Sequence, residues 1–243
     1  MKIEKVTDRN TIFTANESED STVTTGIIRG KAHNFIIDTG TGGDFAQAMI
    51  DSLADSSLPI IVINTHHHWD HVYGNWKFEG NNIIAHKLCA EYMDEKWEKD
   101  LARVKEQGSI LLGEVRKYLP NQLIDAPLHF PEDGVTIFLN PGHTLDCISI
   151  YDEIDKVLYV GDNFGVDEDG FCYWGHDDSN DPEDISEEEE DGLYFVSLMK
   201  MIELYGAYDF ESAVLTHGGH VPKADFDEYR EEMEEYARNG FKD

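Results

Sequence analysis

A layered domain of the α/β or α+β class is the fold this sequence predicts. Three observations lead there. Short apolar stretches of strand length alternate with stretches of helical period. No internal repeat and no Pro/Gly/Ser-rich linker breaks the series. The side chains with chemical potential fall directly after apolar strand segments, where a rigid sheet holds a loop in place.

In chain order, the first predicted strands are Thr22 to Ile28 and Asn34 to Ile37. The glycine-rich turn Asp38-Thr39-Gly40-Thr41-Gly42-Gly43 then opens a helix over Asp44 to Leu53, with Phe45, Ala48, Met49 and Leu53 at helical spacing. The buried strand Ile60 to Ile63 leads straight into Thr65-His66-His67-His68-Trp69-Asp70-His71. Two helices are predicted within residues 87 to 119, the first with Leu88, Tyr92, Trp97, Leu101 and Val104 near one face. Strands return at Val135 to Leu139, Cys147 to Tyr151 and Val157 to Val160, with Pro141-Gly142-His143-Thr144 between the first two. After Gly161-Asp162 a polar segment runs to Asp191 and reads as a long surface loop. Its Phe164, Phe171, Tyr173, Trp174 and His176 either line a pocket or lid or pin the loop to the body. A helix over Tyr194 to Leu204 and a strand over Ser212 to Leu215 precede Thr216-His217-Gly218-Gly219-His220. A last helix carries Phe226, Tyr229, Met233 and Tyr236 on one face.

Composition narrows the function. At 40% hydrophobic and 11% aromatic residues the chain belongs with globular rather than disordered proteins. Its longest apolar run, Pro59 to Ile63, is strand-sized, whereas a membrane helix needs roughly 18–20 residues. The start, MKIEKVTDRN, has no apolar segment of a signal peptide. Three scattered cysteines, Cys89, Cys147 and Cys172, make no disulfide framework and read as buried thiols. A cytoplasmic protein is expected. Fifty acidic residues against nineteen Lys and Arg leave a net charge of −31, a field that repels phosphate backbones and argues against nucleic-acid binding. The bland reading of that charge is solubility, or life at high salt.

The strongest chemical signal is His66-x-His68-x-Asp70-His71. In an extended strand end, residues i and i+2 project to one side, so His66 and His68 can grip one metal together. A turn at Trp69 lets Asp70 and His71 face a second metal beside it. Imidazole suits zinc, iron, copper and nickel, and carboxylate suits harder ions. His67 points away by alternation and is read as structural. Further ligands must come from afar. His143, Asp162 and His217 each follow a strand and are the candidates.

The ordered set of Ile37-Asp38-Thr39-Gly40, His66-x-His68-x-Asp70-His71, Pro141-Gly142-His143-Thr144, Gly161-Asp162 and Thr216-His217-Gly218 resembles the metallo-β-lactamase superfamily, in particular its glyoxalase II-like and lactonase-like branches. The resemblance runs nearly the whole chain. It implies a four-layer αββα sandwich, a single domain over residues 1–243, with two divalent metal ions at one edge between the sheets. It assigns His66, His68 and His143 to one ion, Asp70, His71 and His217 to the other, and Asp162 to both. Asp38 would orient the ligand loop from behind. His220 lies three residues beyond His217, but the pattern of a His followed by Gly after the strand favours His217.

The implied ion is zinc, with iron or manganese also compatible. The implied reaction is hydrolysis of a small-molecule ester, thioester or lactone by a hydroxide generated on the metals. Asp70 or Asp162 would hold that nucleophile and take its proton. The partner expected is a small-molecule substrate, neither nucleic acid nor membrane, and no oligomeric state is assigned. The lactonase branch matches best in size and layout. The chain ends soon after the last ligand helix, without the C-terminal helical domain with which glyoxalase II binds glutathione, which argues against that activity. The alternative is a mononuclear iron enzyme of the sulfur dioxygenase type, whose ligands are a subset of those here.

Overall fold

The computed structural model describes residues 1–166, 172–173 and 199–239. Strands β1 (Lys2–Lys5), β2 (Asn10–Asn16), β3 (Thr22–Arg29), β4 (Asn34–Ile37), β5 (Ile60–Ile63), β6 (Asn82–His86) and β7 (Gln122–Ile124) lie side by side in chain order in a seven-stranded sheet. Strands β1 to β4 form an antiparallel meander, and β4 to β7 run parallel. Parallel neighbours need crossovers. These are α1 (Gly43–Ser52), then α2 (Trp69–Val72) with a 3-10 turn at Asn75–Phe78, and α3 (Lys87–Glu106).

The second sheet begins with β8 (Leu128–Phe130), β9 (Val135–Leu139), β10 (Ile148–Asp152) and β11 (Val157–Gly161). A two-stranded ribbon, β12 (Gly165–Val166) and β13 (Cys172–Tyr173), follows. After α4, described over 199–206, β14 (Ser212–Leu215) pairs parallel to β11, and β15 (Gly219–Pro222) closes that edge. The helix α5 (Lys223–Asn239) ends the described chain.

Side-chain alternation builds the layers. Ile28, Ile37, Ile61, Ile63 and Ile84 of the first sheet meet Ile137, Ile148, Ile150, Tyr159 and Val214 of the second in one buried cluster. Their neighbours Ile27, Ile36, Val62 and Ile83 face the other way, onto Phe45, Ala46 and Met49 of α1. On the far side, Phe138, Leu158 and Leu215 pack under Met201, Ile202, Tyr205 and Phe226. The order is helix, sheet, sheet, helix, the αββα sandwich expected. Each of these aliphatic side chains, fully withdrawn from water, contributes about 1.5–3 kcal/mol.

Several elements depart from expectation. Strands β1, β2, β6, β7, β8 and β15 are absent from the expectation, and the paired β12 and β13 fall inside the stretch expected as a long surface loop. In β2 only Ile12, Phe13 and Ala15 are apolar, among Thr and Asn, and seven register pairs with β3 hold it extended. Residues 87–119 form one helix rather than two. Gly108, at φ 72°, ends α3 in the left-handed conformation favoured after a helix. The chain then runs along α1, where the Gly43 and Asp44 N–H groups donate to the carbonyls of Glu114 and Leu112. The unpaired first-turn donors of α1 thus draw that stretch out of helical form. Phe164 is an anchor rather than a lid residue, with its ring centroid 5.3 Å from that of Phe226. Phe171, Trp174, His176 and the acidic run 187–190 lie outside the described residues. Cys89 and Cys147 are buried free thiols. Among the described residues no helix is long and apolar enough to cross a membrane.

Away from the ligand loops, Asp133 clasps the β3–β4 turn. Its Oδ1 accepts from the backbone N–H groups of Lys31, Ala32 and His33 at 2.7, 2.7 and 3.3 Å, and its Oδ2 lies 2.9 Å from His33 Nδ1. Asp133→Ala is expected to cost about 1–3 kcal/mol in urea unfolding at neutral pH, because it removes the charged acceptor shared by three backbone donors of the turn, with metal content unchanged. A midpoint equal to that of the wild type would refute the clasp.

Candidate metal centre

The segments following β4, β5, β9, β11 and β14 converge on one edge between the sheets. Strand β5 carries no polar side chain, so His66 stands at the first turn beyond a rigid, buried strand. The short helix α2 then swings Asp70 and His71 back toward it. Gly161 ends β11 at φ 64°, and a Cβ there would sit 3.3 Å from Thr65 Cβ. A glycine at this point both turns the chain and lets Asp162 approach the His66 loop.

Two donor groups result. His66, His68, His143 and Asp162 each bring an atom within 4.8 Å of the others, and so do Asp70, His71, Asp162 and His217. In the first, His143 Nε2 is 3.0 Å from His68 Nδ1, and the Nε2 atoms of His143 and His66 are each 3.6 Å from Asp162 Oδ2. In the second, His71 Nε2 is 3.2 Å from Asp162 Oδ1 and 3.3 Å from Asp70 Oδ2. His217 Nε2 completes it, 3.3 Å from Asp162 Oδ2 and 3.7 Å from Asp70 Oδ2. Asp162 belongs to both groups. His220, on β15, belongs to neither.

A cation fits this arrangement. Tetrahedral ligands about 2.0–2.1 Å from one zinc ion lie about 3.3–3.4 Å from each other, inside the range of separations just given. Nε2 of His66, Nε2 of His71 and Oδ1 of Asp162 are buried with no hydrogen-bond partner among the described residues. Each such atom costs about 1–3 kcal/mol if left so. All three point into the two groups.

Electrostatics agree. Burial drives His66 well below its ordinary pKa, with the charge of His71 adding to it. Burial also opposes charge on His71, but the Asp162, Asp70 and Asp38 carboxylates outweigh it and hold His71 well above 6.5. His217 is pushed up to about 10 by Asp162 and Asp70 against the same burial. Asp162 and Asp70 in turn stay below the usual carboxylate range, because His71 and His217 outweigh their desolvation. The pocket therefore draws positive charge to where a cation would lie.

Asp38 stands behind the second group. It has φ 60°, a left-handed conformation that Asp tolerates better than most residues. The Thr65 N–H donates to its Oδ1 at 2.7 Å, the Thr65 hydroxyl donates to its Oδ2 at 2.8 Å, and His71 Nδ1 lies 2.9 Å from Oδ2. Asp38→Asn keeps the shape and removes the charge. It is expected to weaken metal binding at the group containing His71 by about 10–100-fold in equilibrium dialysis. Unchanged affinity would show that the carboxylate charge is not used.

Two supports escaped sequence reasoning. His217 Nδ1 is 2.8 Å from the Thr22 carbonyl and 3.4 Å from Glu17 Oε1. Burial and the nearby Asp70 charge raise the Glu17 carboxyl to about 7. Glu17 sits in an ordinary polar turn and left no signal in the sequence. Asp146, two residues after Thr144, is fully buried against His67, and an acid inside Pro141 to Ile148 was the one clue to it.

Comparison with known proteins fits the geometry. The profile described as "Metallo-beta-lactamase superfamily" matches residues 19–218. A hydroxyacylglutathione hydrolase from Pelagibacter ubique (strain HTCC1062) is 30% identical over 118 residues, which is 48% of this chain and 41% of that protein. The match thus spans about two fifths of the curated relative's length. Among solved structures, a metallo-beta-lactamase from Pontibacter korlensis superposes with a TM-score of 0.71 at 15% identity, covering 98% of this chain and 99% of its own. The DIM-1 metallo-beta-lactamase exposed to ceftazidime gives 0.70 at 15% identity, covering 97% of each chain. At such identities these neighbours speak for the fold. With the superfamily profile matching well over half of its length, the chain belongs to the metallo-beta-lactamase superfamily.

Proposed function

We propose that this chain is a metal-dependent hydrolase of a small-molecule ester, thioester or lactone, working at a dinuclear centre for which zinc is the expected ion. The observation that carries the reading is the pair of donor groups sharing Asp162, with buried unpartnered atoms of His66, His71 and Asp162 aimed into them. His66, His68, His143 and Asp162 would hold one ion, and Asp70, His71, Asp162 and His217 the other. When bound, two cations polarise a carbonyl and lower the pKa of a water from about 16 toward about 7.

The chain's own residues do the rest. Asp70 and Asp162 are the carboxylates of the two groups that would orient such a water and take its proton. Asp38 keeps His71 in one orientation through its Nδ1. Leu145, 52% exposed and two residues after His143 in the chain, would offer an apolar rim for the acyl part of a substrate. The net charge of −31 turns polyanionic substrates away. The relative named a hydroxyacylglutathione hydrolase supports acyl transfer to water as the reaction class. We further read residues 1–243 as one domain, because β2 and β14 feed the same inter-sheet core. The buried free thiols of Cys89 and Cys147 support a reducing, cytoplasmic compartment.

The test is metal content of the purified protein by mass spectrometry, paired with a panel of lactone, thioester, phosphodiester and lactam substrates. About two ions per chain and turnover of one acyl class support the proposal. One iron per chain and no hydrolysis would replace it with the mononuclear dioxygenase reading.

A further inference from the structure

His67 stands between two members of the first donor group, yet it belongs to neither group, and its side chain is 2% exposed. Its Nδ1 lies 3.0 Å from Asp146 Oδ1. The same oxygen accepts the Thr144 hydroxyl at 2.7 Å. Asp146 is fully buried, and a buried carboxylate must be paired to persist. Here both hydrogen bonds of Oδ1 go to turns that carry the first group. His67 is flanked by His66 and His68, and Thr144 directly follows His143. One carboxylate oxygen therefore joins the two turns that supply all three imidazoles of that group. Between the flanks of those turns the Ile148 N–H donates to the Thr65 carbonyl at 2.9 Å.

The second group has supports of its own that do not involve Asp146. Asp38 contacts His71, and the Thr22 carbonyl contacts His217. We propose that Asp146, acting through His67 and Thr144, is a positioning residue for the His66, His68 and His143 group alone. It sets the separation of the two turns and hence the affinity of that group for its ion. This rests on the two-group reading above. A backbone rotation at His67 displaces His66 and His68 together, so a loosened Asp146 contact is felt by two donors at once. Residues supporting metal ligands in this way are worth about 10–100-fold in affinity.

The test uses cobalt(II) as the probe, titrated into metal-free protein and followed by visible absorption. In a His217→Ala background only the first group remains intact. In a His143→Ala background only the second does. Asp146→Ala is expected to weaken cobalt binding about 10–100-fold in the first background and less than about twofold in the second. Asp146→Asn keeps an acceptor of the same shape and should restore binding, and Thr144→Val should weaken it in the same direction as Asp146→Ala. Equal weakening in both backgrounds, or none in either, overturns the proposal. If Asp146→Ala does not fold, Thr144→Val and Asp146→Asn decide between the same outcomes. No cobalt bound in the His217→Ala background with Asp146 present would overturn the two-group reading itself. Cobalt bound there with equal affinity whatever stands at position 146 would overturn only this role of Asp146.

Discussion

Asp162→Ala is expected to release at least one bound ion and to lower hydrolysis by more than about 100-fold, the loss seen when mere supporting partners are removed. Asp162 is the member common to both donor groups. Without it, His66 and His143 lose the oxygen 3.6 Å away, and His71 and His217 lose those at 3.2 and 3.3 Å. Five imidazoles would then face one another with Asp70 as the remaining carboxylate. The fold should survive. Asp162 Oδ1 has no hydrogen-bond partner among the described residues, and β11 ends one residue earlier, held by β10 and β14. Metal analysis, a substrate assay and a circular dichroism melt on one preparation check all three statements. Full metal content with full activity in this variant would sink the dinuclear reading.

Chelation is expected to lower the melting temperature, and by more at pH 8.5 than at pH 6. An ion present at 100 to 1,000 times its dissociation constant adds about 2.7–4.1 kcal/mol, which corresponds to about 5–15 °C for a chain of this size. The pH dependence follows from the protons that occupy the empty site. His217 has a folded value of about 10 against an ordinary 6.5. Its stabilising contribution to the metal-free fold is complete below 6.5 and disappears as pH rises through about 10. His71, held well above 6.5 by three carboxylates, acts in the same direction. Glu17, raised from 4.5 to about 7, adds a loss that begins at lower pH. Ligand imidazoles bind metal only when neutral, so the loaded protein has given up these protons already. The metal-free protein therefore weakens with rising pH while the affinity for metal grows. Calorimetry with and without chelator at both pH values measures the gap. A gap that is equal at the two values, or smaller at pH 8.5, would rule out protonated His71 and His217 in the empty site.

The sequence by itself determined whatever depends on near neighbours. The all-apolar strand at Ile60 to Ile63, the glycine-rich turn into α1, and the spacing of His66, His68, Asp70 and His71 are each written within a few consecutive positions. The short, mostly apolar runs of Val135 to Leu139 and of Ser212 to Leu215 were legible for the same reason, since a strand-length apolar run is a local pattern. Tertiary structure alone decided what depends on partners far along the chain. Strand β2 is polar by composition and exists because β3 lies beside it. Residues 109–119 leave helical form because α1 needs carbonyls at its N-terminus. The pairing of β14 beside β11 puts His217 against Asp162, while His220 is carried off on β15. Asp146 meets His67 across 79 positions, a pairing that no local pattern encodes. Local periodicity records which face of an element is apolar. Which charged or polar group waits on the other side is set by how the two sheets close over the site.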